Sequence, residues 1–155
     1  MRRDKLTSKE KKWMMYLIKK MEKPEKKIAL RQLRKARIKR EYDPFYIFVD
    51  FVLPQNVERL PFSNGVPAEM WAKWVGPAPM VFLLHVEDGL LKELEVYNAD
   101  LSEVETEYPI TKWNTEVRVE KVVEENGRRY GVPPKMDGKN LHSLSELETV
   151  EEEAR

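Results

Sequence analysis

The chain has no cysteine. That absence removes disulfides, thiolate metal sites and cysteine nucleophiles together, and it suits a reducing compartment. Glycine is scarce, six in 155 residues, and neither a P-loop nor a dinucleotide fingerprint can be assembled from these six. No Gly-x-Ser-x-Gly elbow occurs. Histidine appears twice, at His85 and His142, a separation that matches no recognised metal-ligand spacing. No apolar run approaches the roughly 20 residues needed to cross a bilayer. The basic start, "MRRDKLTSKEKK", leads into no apolar segment of signal-peptide type. Together these absences predict a cytoplasmic protein that makes no membrane contact, carries no cofactor or metal, and is not an enzyme.

Charge is what the sequence has in quantity. Charged residues make up 35% of it, against about 25% in an ordinary soluble domain. The net charge of +1 conceals a segregation: residues 1–42 hold 17 Lys and Arg against 5 Asp and Glu, while residues 43–155 hold 11 against 22. Such sorting marks either a basic binding face or a basic helical layer packed over an acidic sheet.

The length is that of one domain with a real core. Thr7 followed by Glu10 is a capping-box pattern, and Trp13, Met14, Leu17, Ile18 and Met21 then recur at helical spacing. Lys23-Pro24 ends this first helix. Pro24 suits the first turn of a second, running to about Lys35 with Ile28, Leu30 and Leu33 on its apolar side. From Ala36 the pattern alternates, predicting a strand over 36–42 that Arg40 interrupts. "FYIFVDFVL", 45–53, is rich in aromatic and β-branched residues and reads as a strand. Residues 54–67 read as a loop with three prolines, and 68–75 fits a short helix or an alternating strand. Strands at about 80–86 and 90–98 form a hairpin on Asp88-Gly89, and 115–127 reads as one more strand. After Gly127 the periodicity fades. The expectation is an α+β domain over 1–127, with one or two N-terminal helices packed on an antiparallel meander of about five strands. Residues 128–155 are expected to form an extended arm and an acidic, partly disordered tail.

Leu6, Thr7 and Glu10, then Leu83 to Val86, Asp88-Gly89, Leu91, Leu94-Glu95-Val96-Tyr97 and Asp100, resemble a group of uncharacterised small bacterial proteins. These pair a Leu-Thr-x-x-Glu helix with a hairpin of the type hLLHV-x-Asp-Gly-x4-Leu-Glu-Val-Tyr. The group is similar in turn to some immunity proteins found beside bacterial toxin genes. The resemblance implies that 68–75 is a strand, that the protein works by binding, and that its partner is a protein such as a toxin or nuclease.

Three sets of residues are candidates for that binding. Glu87, Asp88, Glu93, Glu95 and Asp100 give the hairpin an acidic side that could meet a basic partner; the plain alternative is a solvated polar face. Trp71 and Trp74, three apart, point to opposite faces of a strand, so one is a candidate anchor. Arg31, Arg34, Lys35, Arg37, Lys39 and Arg40 form the nucleic-acid alternative, with Arg31, Lys35 and Lys39 on one ridge if the helix continues through Ala36. His85, inside an apolar strand, reads as a core histidine bonded to backbone. Oligomeric state is not legible in the sequence.

Overall fold

In a computed structural model the described residues are 4–74, 76–104, 110–117, 121–125, 128–132 and 148–149. Two helices, α1 (Ser8–Ile18) and α2 (Lys23–Lys35), lead into the strands β1 (Arg37–Tyr42), β2 (Tyr46–Val52), β3 (Gly65–Lys73), β4 (Met80–Glu87), β5 (Leu90–Asn98) and β6 (Lys112–Val117). These six form an antiparallel sheet in the order β1-β2-β5-β4-β3-β6, and a two-residue strand, β9 (Glu148–Thr149), pairs with the far side of β6. Strands β7 (Lys121–Glu125) and β8 (Arg128–Val132) make a separate two-stranded ribbon. This is the expected α+β arrangement with helices on a meander. The strand expected over 115–127 divides between β6 and β7, and the boundary expected at 127 lies outside the described residues, between β7 and β8. Apart from Glu148–Thr149, the acidic tail lies outside the described residues, as does His142. No described helix is long and apolar enough to cross a membrane.

Alternation along each strand sorts the side chains into two layers. Ile38, Ile47, Val49, Leu94, Val96, Phe82, Leu84, Met70 and Ala72 point inward and are buried. The helices cover this inner face: Trp13 meets Phe82 at a ring separation of 5.2 Å, and Tyr16 stacks on Trp113 at 4.7 Å. Trp74 also belongs to this core, with its indole N–H donating to the Ala78 carbonyl at 3.0 Å. α1 starts as its sequence dictates. The Glu10 amide donates to Thr7 Oγ1 and the Thr7 amide donates to Glu10 Oε1, closing the capping box.

The strand reading of 36–42 holds, and Arg40 is no obstacle to it. Arg40 points inward on β1, where its guanidinium donates to both carboxylate oxygens of the buried Glu10, at 2.7 and 2.6 Å, and to the Lys5 carbonyl. The 65–67 end of the expected loop is also strand, because Gly65 already pairs with Val86 of β4.

The β4–β5 hairpin turns on Asp88 and Gly89, whose φ values of 55° and 73° are the left-handed pair that a two-residue turn requires. A β-carbon on Gly89 would stand 2.7 Å from Arg59 Cβ and 2.8 Å from the Leu60 carbonyl. Positive φ alone costs a non-glycine residue about 1–2 kcal/mol. Gly89→Ala should therefore lower stability by at least that much, read as a reduced thermal midpoint.

Candidate functional site

The outer face of the sheet, away from the helices, carries the candidate site. Register assembles it in rows across four strands. Tyr46, Tyr97, Val81 and Trp71 lie side by side on β2, β5, β4 and β3. The next row is Phe48, Glu95, Leu83 and Glu69, and the third is Asp50, Glu93 and His85. The face thus grades from aromatic at one end of the strands to acidic at the other. Tyr46 stacks on Phe48 and tilts against Tyr97, both at 5.8 Å between ring centres.

A bulge makes the acidic end possible. His85 pairs with Glu93 but Val86 pairs with Leu91, so Lys92 is the extra residue on β5. Leu91 and Glu93 would otherwise share a face. The bulge buries Leu91 in the core and leaves Glu93 facing outward, beside Glu95.

Four titratable groups meet there. His85 Nε2 is 3.0 Å from Glu95 Oε1, with side chains 32% and 21% exposed. Glu93 stands opposite Asp50, its partner in register on β2. The Glu93 carboxyl titrates above the ordinary carboxylate range, first because burial disfavours its charge and then because of the adjacent Asp50 carboxylate and its negative charge. Phenol ionisation of Tyr97 is likewise pushed up, by burial and then by the charge of Glu95. A pocket of about 280 Å³ opens beside the cluster, lined by Asn64, Gly65, His85, Glu87, Lys92 and Glu93 among others.

The expected residues are distributed as follows. Glu93 and Glu95 come together, and Glu87 borders their pocket. Asp88 sits at the hairpin tip, where its amide donates to Asn64 Oδ1 at 2.7 Å and Arg59 donates to its carboxylate at 3.2 Å. Asp100 lies past the other end of β5. Its carboxylate accepts from the hydroxyl and amide of Ser102, and these bonds pull its pKa down. Trp71 is on the outer face and half-buried, whereas Trp74 is inside. His85 is not the core histidine bonded to backbone that the sequence suggested; its alternation places it outward, against Glu95.

The basic set is dispersed because α2 ends at Lys35 and the chain enters β1, so the ridge Arg31–Lys35–Lys39 does not form. Arg31 pairs with Glu58 at 3.0 Å and Arg40 with Glu10. Arg34 and Lys35 are exposed on α2, while Arg37 and Lys39 flank buried Ile38 and point to the sheet's outer side.

Asp50, Glu69, Tyr46 and Phe48 belong to the face without having been candidates. For three of them the signal was present in "FYIFVDFVL": alternation places Tyr46, Phe48 and Asp50 on one side, opposite an unbroken apolar set, while Glu69 alternates with Met70 in "AEMWAKWV". No protein-family model, curated protein or solved structure matches the chain.

Proposed function

We propose that the protein is a non-catalytic binding protein that docks the outer face of its sheet onto a protein partner with a basic surface. The observation that carries this reading is the composition of that face. Tyr46, Phe48, Trp71 and Tyr97 are half-buried in one contiguous patch and run into Asp50, Glu69, Glu93 and Glu95. Aromatic side chains are enriched in interface cores, where they supply large contact area at small cost in rotamer freedom. The neighbouring carboxylates steer a cationic partner and select against anionic ones. A toxin or nuclease that presents a nucleic-acid-binding surface has the matching chemistry, and the resemblance to immunity proteins points the same way.

The test is affinity capture from the native host lysate, with captured proteins identified by mass spectrometry. The wild-type chain should retain a basic protein, and salt should weaken the retention. The double reversal Glu93→Lys and Glu95→Lys should lose that protein, whereas Arg34→Glu with Lys35→Glu should keep it. Capture unchanged by the first pair would remove this face from the interaction. Loss with the second pair alone would favour the nucleic-acid alternative through α2.

A further inference from the structure

The acidic end of the outer face has a property that protein docking does not require. Asp50, Glu93 and Glu95 stand on adjacent strands at partial burial, and among the described residues no lysine or arginine forms an ion pair with any of them. Arg59 pairs with Asp88 at the hairpin tip and Arg40 with Glu10, not with these carboxylates. Like charges so arranged at reduced exposure repel one another unless a counter-charge is supplied. The other titratable groups there are the His85 imidazole and Lys39, which stands opposite Asp50 on β1 without forming an ion pair with it.

We propose that His85, Glu93 and Glu95 form a binding site for a first-row divalent cation of the zinc or manganese kind, with Asp50 supporting Glu93 from the neighbouring strand. One ligand atom from each of the three residues lies within 4.8 Å of the others. His85 Nε2 and Glu95 Oε1 are already 3.0 Å apart. Two donors bound to one tetrahedral zinc at about 2.0–2.2 Å each sit roughly 3.4 Å from one another, so a cation can take the place of the direct contact with a movement of a few tenths of an ångström.

The donors are held by paired strands rather than by loops, which fixes their backbone positions before any ligand arrives. Alternation puts Glu93 on the same face as Glu95, and the bulge at Lys92 returns Leu91 to the core behind it. Access and room for water ligands come from the pocket of about 280 Å³ beside His85 and Glu93. One imidazole with two carboxylates suits zinc or manganese; an all-oxygen set would have suited magnesium or calcium. Asp50, opposite Glu93 on β2, adds a further carboxylate beside the three ligands.

This site shares Glu93 and Glu95 with the docking face, but it is tested without a partner, so its failure leaves the docking reading standing. Zinc chloride, and in parallel manganese chloride, is titrated calorimetrically at pH 7.5 into the tag-free full chain. The expected result is one saturable zinc site per chain, with manganese binding more weakly, as the usual order of divalent affinities requires. His85→Ala and the nearly isosteric Glu95→Gln should each weaken zinc about tenfold or more, while His142→Ala should leave it unchanged. Proton NMR of the wild type should show the His85 ring resonances shifting with zinc, a readout that needs no variant to fold. No saturable binding, equal binding by His85→Ala, or loss confined to His142→Ala would each overturn the assignment.

Discussion

Arg40→Met should lower the unfolding free energy by about 3–5 kcal/mol, the cost of leaving one member of a buried ion pair behind. The magnitude follows from the environment of Glu10. Its side chain is 4% exposed and that of Arg40 is 13% exposed, so water does not replace the lost guanidinium. The bidentate geometry, at 2.7 and 2.6 Å, is the strong form of such a contact. Replacing both partners, Glu10→Leu with Arg40→Met, should restore most of the loss, because an apolar pair of similar size often does as well as a buried ion pair. What it cannot restore is the capping bond from Thr7, worth about 1 kcal/mol.

The same pair predicts a pH dependence. Burial alone would raise the Glu10 carboxyl, but hydrogen bonds from Arg40 and Thr7 outweigh it and hold the group below its ordinary value of 4.5. A depressed folded pKa means that the ionised form contributes stability above about pH 4.5, and that this contribution is lost as pH falls through the folded value. The gap in stability between wild type and Arg40→Met should therefore narrow below pH 4.5. Urea titrations at pH 7 and pH 3.5 would measure it. A gap that is unchanged or wider at pH 3.5 would show that the pair does not hold Glu10 ionised.

Gln32→Leu is expected to cost about 3 kcal/mol. Gln32 is 1% exposed, and its amide serves three backbone groups of distant segments. Nε2 donates to the carbonyls of Glu58 and Gly89 at 2.9 and 3.0 Å, and Oε1 accepts from the Leu91 amide at 2.8 Å. Leucine has nearly the same volume and no polar atom, so packing survives while buried backbone groups lose partners, at about 1–3 kcal/mol each. The Gly89 carbonyl keeps its bond from the Leu60 amide, which limits the damage to the other two. A fall in the urea midpoint with an unchanged slope, together with faster hydrogen exchange at Leu91, is the expected signature. An unaltered midpoint would mean that water satisfies these groups.

These two residues also show what a sequence conceals. Thr7, Glu10 and the Trp13 stripe announced α1, and Asp88-Gly89 announced the turn, because those signals act between near neighbours. Arg40 made β1 look doubtful because its partner lies 30 positions earlier, and nothing local marks Glu10 for two tasks. Gln32 looked like one more polar residue of α2 for the same reason. The site followed this division. Glu93 and Glu95 were legible together from their spacing, whereas the approach of His85 and Asp50 depends on which strands are neighbours. The bulge at Lys92 did leave a mark, since Leu90-Leu91 followed by Lys92-Glu93 breaks the alternation that holds from Glu93 onward.

β1 lies at one margin of the sheet, and Arg40 is the inward-facing charge upon it. Arg37 and Lys39 project from its other side, and the chain near Asp4 passes alongside, accepting a hydrogen bond from the Ile38 amide at 2.8 Å. An unpaired margin invites a second copy to add its own strand, and cations there make two such margins repel. The double variant Glu10→Leu with Arg40→Met could recover most of the wild-type folding free energy and still be less soluble, having given up part of its protection against aggregation.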